Sequence, residues 1–199
     1  MNFSKELEEK VKSKAIEYLE KGKPAWDVPH TLRAVYWMKK LIKKEGGNEK
    51  ILVTTMYFHD IGYPNLQEGY NFNDLIKSKP NHSKLGAFEA KKVLGNFEEF
   101  SEEEIEKISK LIENHDNKEL ILTLNPETDE YSHNQILVRE SDCLSKLDWY
   151  NVTPNFDKEN TAKYLEYFKE RSVPCFKTET GKKFLKEVMQ RAEKYLENM

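Results

Sequence analysis

The chain is poor in cysteine: Cys143 and Cys175 are the only two among 199 residues. They lie far apart, in no spacing that a zinc site uses. No disulfide framework is expected, and a reducing cytoplasm is the expected setting. Also missing is any apolar run near the roughly 18–20 residues that span a bilayer. Residues 1–10 carry no signal-peptide apolar stretch, so no membrane partner is expected. Charge of one sign is scarce too: 32 Lys and Arg stand against 35 Asp and Glu, a net charge of −3. That balance excludes a general grip on a nucleic-acid backbone. There is no repeat, no low-complexity stretch, no Walker-type glycine loop and no Cys-nucleophile motif.

What the chain does have is burial capacity. Apolar residues make up 38% and aromatics 12%, enough for a real core despite 34% charged residues. Leu7, Val11, Ala15 and Leu19 recur at four-residue steps, which predicts a helix over 3–21. Asp27 and Pro29 read as the start of a second, over about 29–44, stopped by Gly46-Gly47. Asn48 caps a third, which carries Leu52, Met56 and His59 along one side. Gly62 and Pro64 end it, and residues 65–80 read as a polar loop of functional length. Further helices are expected over 81–94, from the Ser101/Glu104 capping box to about 114, then over 132–150, 159–171 and 178–198. Residues 119–124 read as extended. The expected fold is all-α: a single-domain helical bundle of about eight helices over 1–199. Oligomeric state is open, a homodimer included.

The histidines hold the chemistry. There are five, and four of them fall at the edges of expected helices: His30, His59, His82 and His115. His30 belongs to the first turn of its helix. His59 and Asp60 place an imidazole and a carboxylate side by side where the third helix breaks. Steps of 29, 22, 33 and 27 residues separate His30 from His59, Asp60 from His82, His82 from His115, and His115 from Asp142. Each step is about one helix and a connection, so successive candidates come from different helices, as in metal sites of helical bundles. Asp142 lies in the mostly apolar stretch Val138–Leu144, where a carboxylate needs a partner or a metal. Imidazole with carboxylate suits a divalent transition ion: Fe, Mn, Co, Ni or Zn. His133, in a polar run, reads as a surface residue.

The order His30, then His59-Asp60, then Asp142 resembles the H…HD…D pattern of the HD-domain superfamily of metal-dependent phosphohydrolases. The context is similar as well: Arg33 one turn after His30, Phe58-His59-Asp60-Ile61-Gly62, His82-Ser83-Lys84-Leu85-Gly86-Ala87, Ile112-Glu113-Asn114-His115, and Glu140-Ser141-Asp142-Cys143-Leu144. The resemblance covers about 25–150 and leaves 151–199 as a helical extension. Ser141 stands where the family often has Ala, and the GYP of Gly62-Tyr63-Pro64 is read as coincidence. The resemblance implies a metal site of His30, His59, Asp60 and Asp142. His82 and His115 are either ligands of a second ion or groups that support the first or bind substrate.

The implied activity is hydrolysis of a nucleotide or other small phosphate ester through a metal-activated water, with Asp60 beside the metal. Arg33 and Lys146 are the candidates to offset phosphoryl charge, though each has an ion pair as its plain alternative. Glu89 reads as a helix-surface or supporting residue. Tyr63, Asn65, Tyr70 and Phe72 either line a substrate pocket or pack the loop. Two rivals stand: a two-iron oxygenase of the same fold, and a metal-keeping binding module without turnover.

Overall fold

Leu7, Val11, Ala15 and Leu19 are all buried, so the first segment winds into a helix with one apolar stripe. The computed structural model, which describes residues 3–22, 24–63, 81–148 and 157–199, is all-α. Among the described residues the helices are α1 (Lys5–Leu19), α2 (Pro24–Glu45), α3 (Glu49–Phe58), α4 (His82–Leu94), α5 (Glu102–Asn114), α6 (Lys118–Thr123), α7 (Glu130–Leu147), α8 (Lys158–Ser172) and α9 (Glu179–Glu197). A 3-10 turn, Val173–Cys175, joins α8 to α9. No described helix is long and apolar enough to cross a membrane.

Short polar side chains start most of these helices. Ser4, Asn48, Ser101, Asn117, Asp129, Asp157 and Thr178 each accept a bond from a first-turn N–H. The Ser101/Glu104 capping box forms as the sequence implies. Gly46 and Gly47 end α2 with φ of 80° and 112°, the left-handed region that favours glycine.

Two sequence expectations change here. Helix α2 begins at Pro24, not near Pro29, which lies inside it. Pro24 supplies helical φ at the true first position, and Pro29 gives up only one N–H bond. Residues 118–123 are helical, not extended. Asn117 caps Leu120 N–H at 3.1 Å and Ile121 is buried; a run this short shows no helical period. With this short helix there are nine α-helices among the described residues, in line with the expected bundle of about eight.

Helix α3 is buried from Lys50 to Phe58 and forms the centre of the bundle, with α1, α2, α5 and α7 packed around it. Lys50, although buried, has its ammonium on Glu104 Oε2 at 2.7 Å. Helix α4 packs on α5; α8 and α9 pack on α7. One hydrophobic cluster runs from Leu7 through Met56, Ile108 and Leu144 to Val188. The loop over 65–80 lies outside the described residues, and with it Asn65, Tyr70 and Phe72.

Candidate metal centre

Two histidines are placed by the same local device. His59 and His115 are the C-cap residues of α3 and α5. Each turns its ring back so that Nδ1–H donates to the carbonyl three residues earlier: Met56 at 2.8 Å and Ile112 at 2.7 Å. Nε2 is therefore the nitrogen left to face the site in both rings. His82 is the first residue of α4, after Asn81 in the left-handed conformation (φ 81°). His30 lies about two turns into α2, not in its first turn, because the helix starts earlier than expected. Its Nδ1–H donates to Ser145 Oγ at 2.9 Å, and Ser145 donates to the Asp142 carbonyl at 2.7 Å.

The structure brings all six candidate ligands together, and all six are buried. They form two trios, His30/His59/Asp142 and Asp60/His82/His115; within each, the ligand atoms lie within 4.8 Å of one another. Asp60 connects them. Its Oδ2 lies 3.3 Å from His30 Nε2 and 3.4 Å from His59 Nε2. Its Oδ1 lies 3.5 Å from His82 Nε2 and 3.4 Å from His115 Nε2. Asp142 Oδ1 is 3.2 Å from His30 Nε2 and 3.6 Å from His59 Nε2. The two Nε2···Nε2 separations are both 3.1 Å.

These spacings suit a metal. Donors bound at about 2.1 Å stand about 3.0 Å apart at right angles and about 3.4 Å apart in a tetrahedron. Asp142 Oδ1 is buried without a hydrogen bond, and histidine Nε2 atoms face one another in two close pairs; both arrangements suit a cation. Without one, a proton takes the role. Burial alone would lower His30, but the carboxylates of Asp142 and Asp60 raise it to about 9. Burial works in the opposite direction on Asp60 and Asp142 and is overcome. His59, His115 and His30 hold Asp60 well below the usual carboxylate range; Lys146, His30 and His59 do so for Asp142.

The other candidates take different positions. Lys146 Nζ lies 2.5 Å from Asp142 Oδ2 and 3.9 Å from Asp116 Oδ1. Arg33 pairs with buried Asp148 at 3.6 Å, and Asp148 also accepts from Trp37 Nε1 at 3.1 Å. Tyr63 stacks on the His82 ring, centroids 4.3 Å apart and planes 10° from parallel. Glu89 lies on the α4 surface, 3.5 Å from Lys92. His133, in the first turn of α7, is half-buried.

Sequence reasoning missed three contributors. Ser145 fixes the His30 ring. Arg139, fully buried, places Nη1 2.5 Å from Asp116 Oδ1, 3.4 Å from Asp142 Oδ2 and 3.4 Å from the His115 carbonyl. Asp116 is the third. Signals existed: His115-Asp116 repeats the His59-Asp60 step, and Arg139 and Ser145 flank Asp142 by three residues each way on one helix face.

Three helix ends and the second turn of α2 gather four histidines around a shared aspartate in an all-α fold, a set of groups that could hold a metal. The HD domain family model matches residues 28–147, which contain all six ligand candidates, and the chain belongs to that family. No curated protein and no solved structure matches it.

Proposed function

We propose that the chain is a metal-dependent phosphohydrolase acting on a nucleotide or other small phosphate ester. The observation that carries this reading is the division of Asp60 between two histidine pairs. One or two divalent transition ions (Fe, Mn, Co, Ni or Zn) held there would supply a reactive water at neutral pH and polarise a phosphoryl oxygen. His30, His59, Asp142 and Asp60 Oδ2 would hold the first, and His82, His115 and Asp60 Oδ1 the second.

The chain's own residues set the rest. Asp60 fixes the distance between the two positions and stands beside the reacting centre. Lys146 neutralises the outer oxygen of Asp142, so that the inner one can face an ion without a second unpaired charge. Arg33 is the more exposed cation, its side chain 22% exposed. Its guanidinium is suited to exchange Asp148 for two phosphate oxygens.

The test is phosphate release from p-nitrophenyl phosphate and a panel of nucleotides, with Mn2+ or Co2+ added. Turnover that disappears in Asp60→Ala supports the proposal. Metal-loaded protein that releases no phosphate across the panel contradicts it. Oxygen uptake by the iron-loaded chain would replace it with the two-iron oxygenase reading.

A further inference from the structure

The family match ends at residue 147, yet the helices beyond it grip the stretch of α7 that carries Asp142. Tyr164, on α8 and fully buried, donates its hydroxyl to the Lys146 carbonyl at 2.9 Å. On the other side of Asp142, buried Glu140 gathers three donors from the start of α9. These are the N–H of Lys177 at 2.7 Å, the N–H of Thr178 at 2.8 Å and the hydroxyl of Thr178 at 2.6 Å. A carboxylate at a helix N-terminus is favourably placed, and a buried one requires such donors. Gly181 makes the approach feasible. A Cβ there would collide with the Glu140 carboxylate and come within 2.8 Å of Thr178 Oγ1.

The same helix start also holds α2, whose Glu45 accepts from Thr180 N–H at 3.1 Å. Ser141 then ties α7 to α2 by donating to the Ala34 carbonyl at 2.6 Å. Asp142 thus lies two residues after one anchor and four before the other. Helix α8 packs on α7, and α9 packs on α7 and α2; α7 carries Asp142 and α2 carries His30. The second trio is carried by the end of α3, by α4 and by the end of α5.

We infer that the C-terminal helices belong to the support of the metal centre, with Tyr164 and Thr178 as positioning residues that set affinity at the His30/His59/Asp142 trio and not at the second trio. Partners one step removed from a ligand typically change metal affinity 10–100-fold. The inference rests on the metal reading above.

The test is Co2+ titration of the full-length, metal-free chain in two backgrounds, with thermal melts alongside. His82→Ala weakens the second trio and leaves the first; His30→Ala does the reverse. Tyr164→Phe should weaken Co2+ binding about 10-fold in the His82→Ala background and by less than about twofold in the His30→Ala background. Thr178→Val should do the same, and Thr178→Ser should restore binding. Equal weakening in both backgrounds, or none in either, overturns the inference and leaves the metal reading standing. A parent chain that binds no Co2+ overturns both.

Discussion

Ser145 Oγ lies 2.9 Å from His30 Nδ1 while giving its own proton to the Asp142 carbonyl at 2.7 Å. The hydroxyl therefore acts as an acceptor toward the ring and fixes which nitrogen points inward. Ser145→Ala removes that acceptor and leaves the ring free to rotate or change tautomer. Metal affinity should fall about 10-fold, with little change in melting temperature. Competition with a chelator of known affinity measures it, and parent-like affinity would contradict the role.

Gly62 allows the chain after Asp60 to lie against the start of α4. A Cβ at this position would collide with the His82 carbonyl and stand 2.7 Å from Gly86 N. Those atoms are backbone and cannot rotate away, so Gly62→Ala must push α4 off, and His82 with it. The expected result is loss of the second ion while the first is retained, with a destabilisation of about 1–3 kcal/mol. Elemental analysis and urea unfolding read the two effects separately. A variant that keeps both ions would show that α4 placement is not limiting.

Lys50 and Glu104 give an acid limb to stability. Burial would raise Glu104, but the Lys50 ammonium and the Ser101 N–H together lower it from 4.5. A carboxyl depressed in the folded state adds stability above its unfolded value, lost as pH falls through the folded one. Unfolding free energy should therefore fall as pH drops below about 4.5, and Glu104→Gln should flatten that slope. Denaturant titrations from pH 6 to pH 3 test this; an unchanged slope in Glu104→Gln would count against it.

Arg139 reaches Asp116, Asp142 and the His115 carbonyl with one nitrogen. Arg139→Met leaves two carboxylates with less compensation in a buried setting. A loss of about 3–5 kcal/mol is expected in the metal-free chain. Added metal should recover part of that loss, because it binds Asp142 in the folded state only. Equal losses with and without metal would argue that Arg139 serves the fold alone.

The all-α fold was legible because its signals are local. Four-residue apolar steps, Gly46-Gly47 and the Ser101/Glu104 box each act within one or two turns. His59-Asp60 was legible for the same reason, since a helix break and two ligand types sit together. Ser145, Arg139 and Asp116 were harder to find, because their roles depend on α7 lying against α2 and α5. Periodicity along one helix does not state that relationship. Arg33 and Lys146 illustrate the converse: spacing put them on the right faces, and the carboxylates they meet, Asp148 and Asp116 among them, come from packing. Residues 118–123 misled because six residues are too few to display a 3.6-residue period.

The account depends most on Asp60 serving both trios. The direct measurement is the metal content of purified chain reconstituted with Mn2+ or Co2+, by elemental analysis, for the parent, Asp60→Ala and His82→Ala. The account predicts about two ions in the parent, about one in His82→Ala and loss from both positions in Asp60→Ala. An Asp60→Ala chain that keeps the parent's metal content would contradict it.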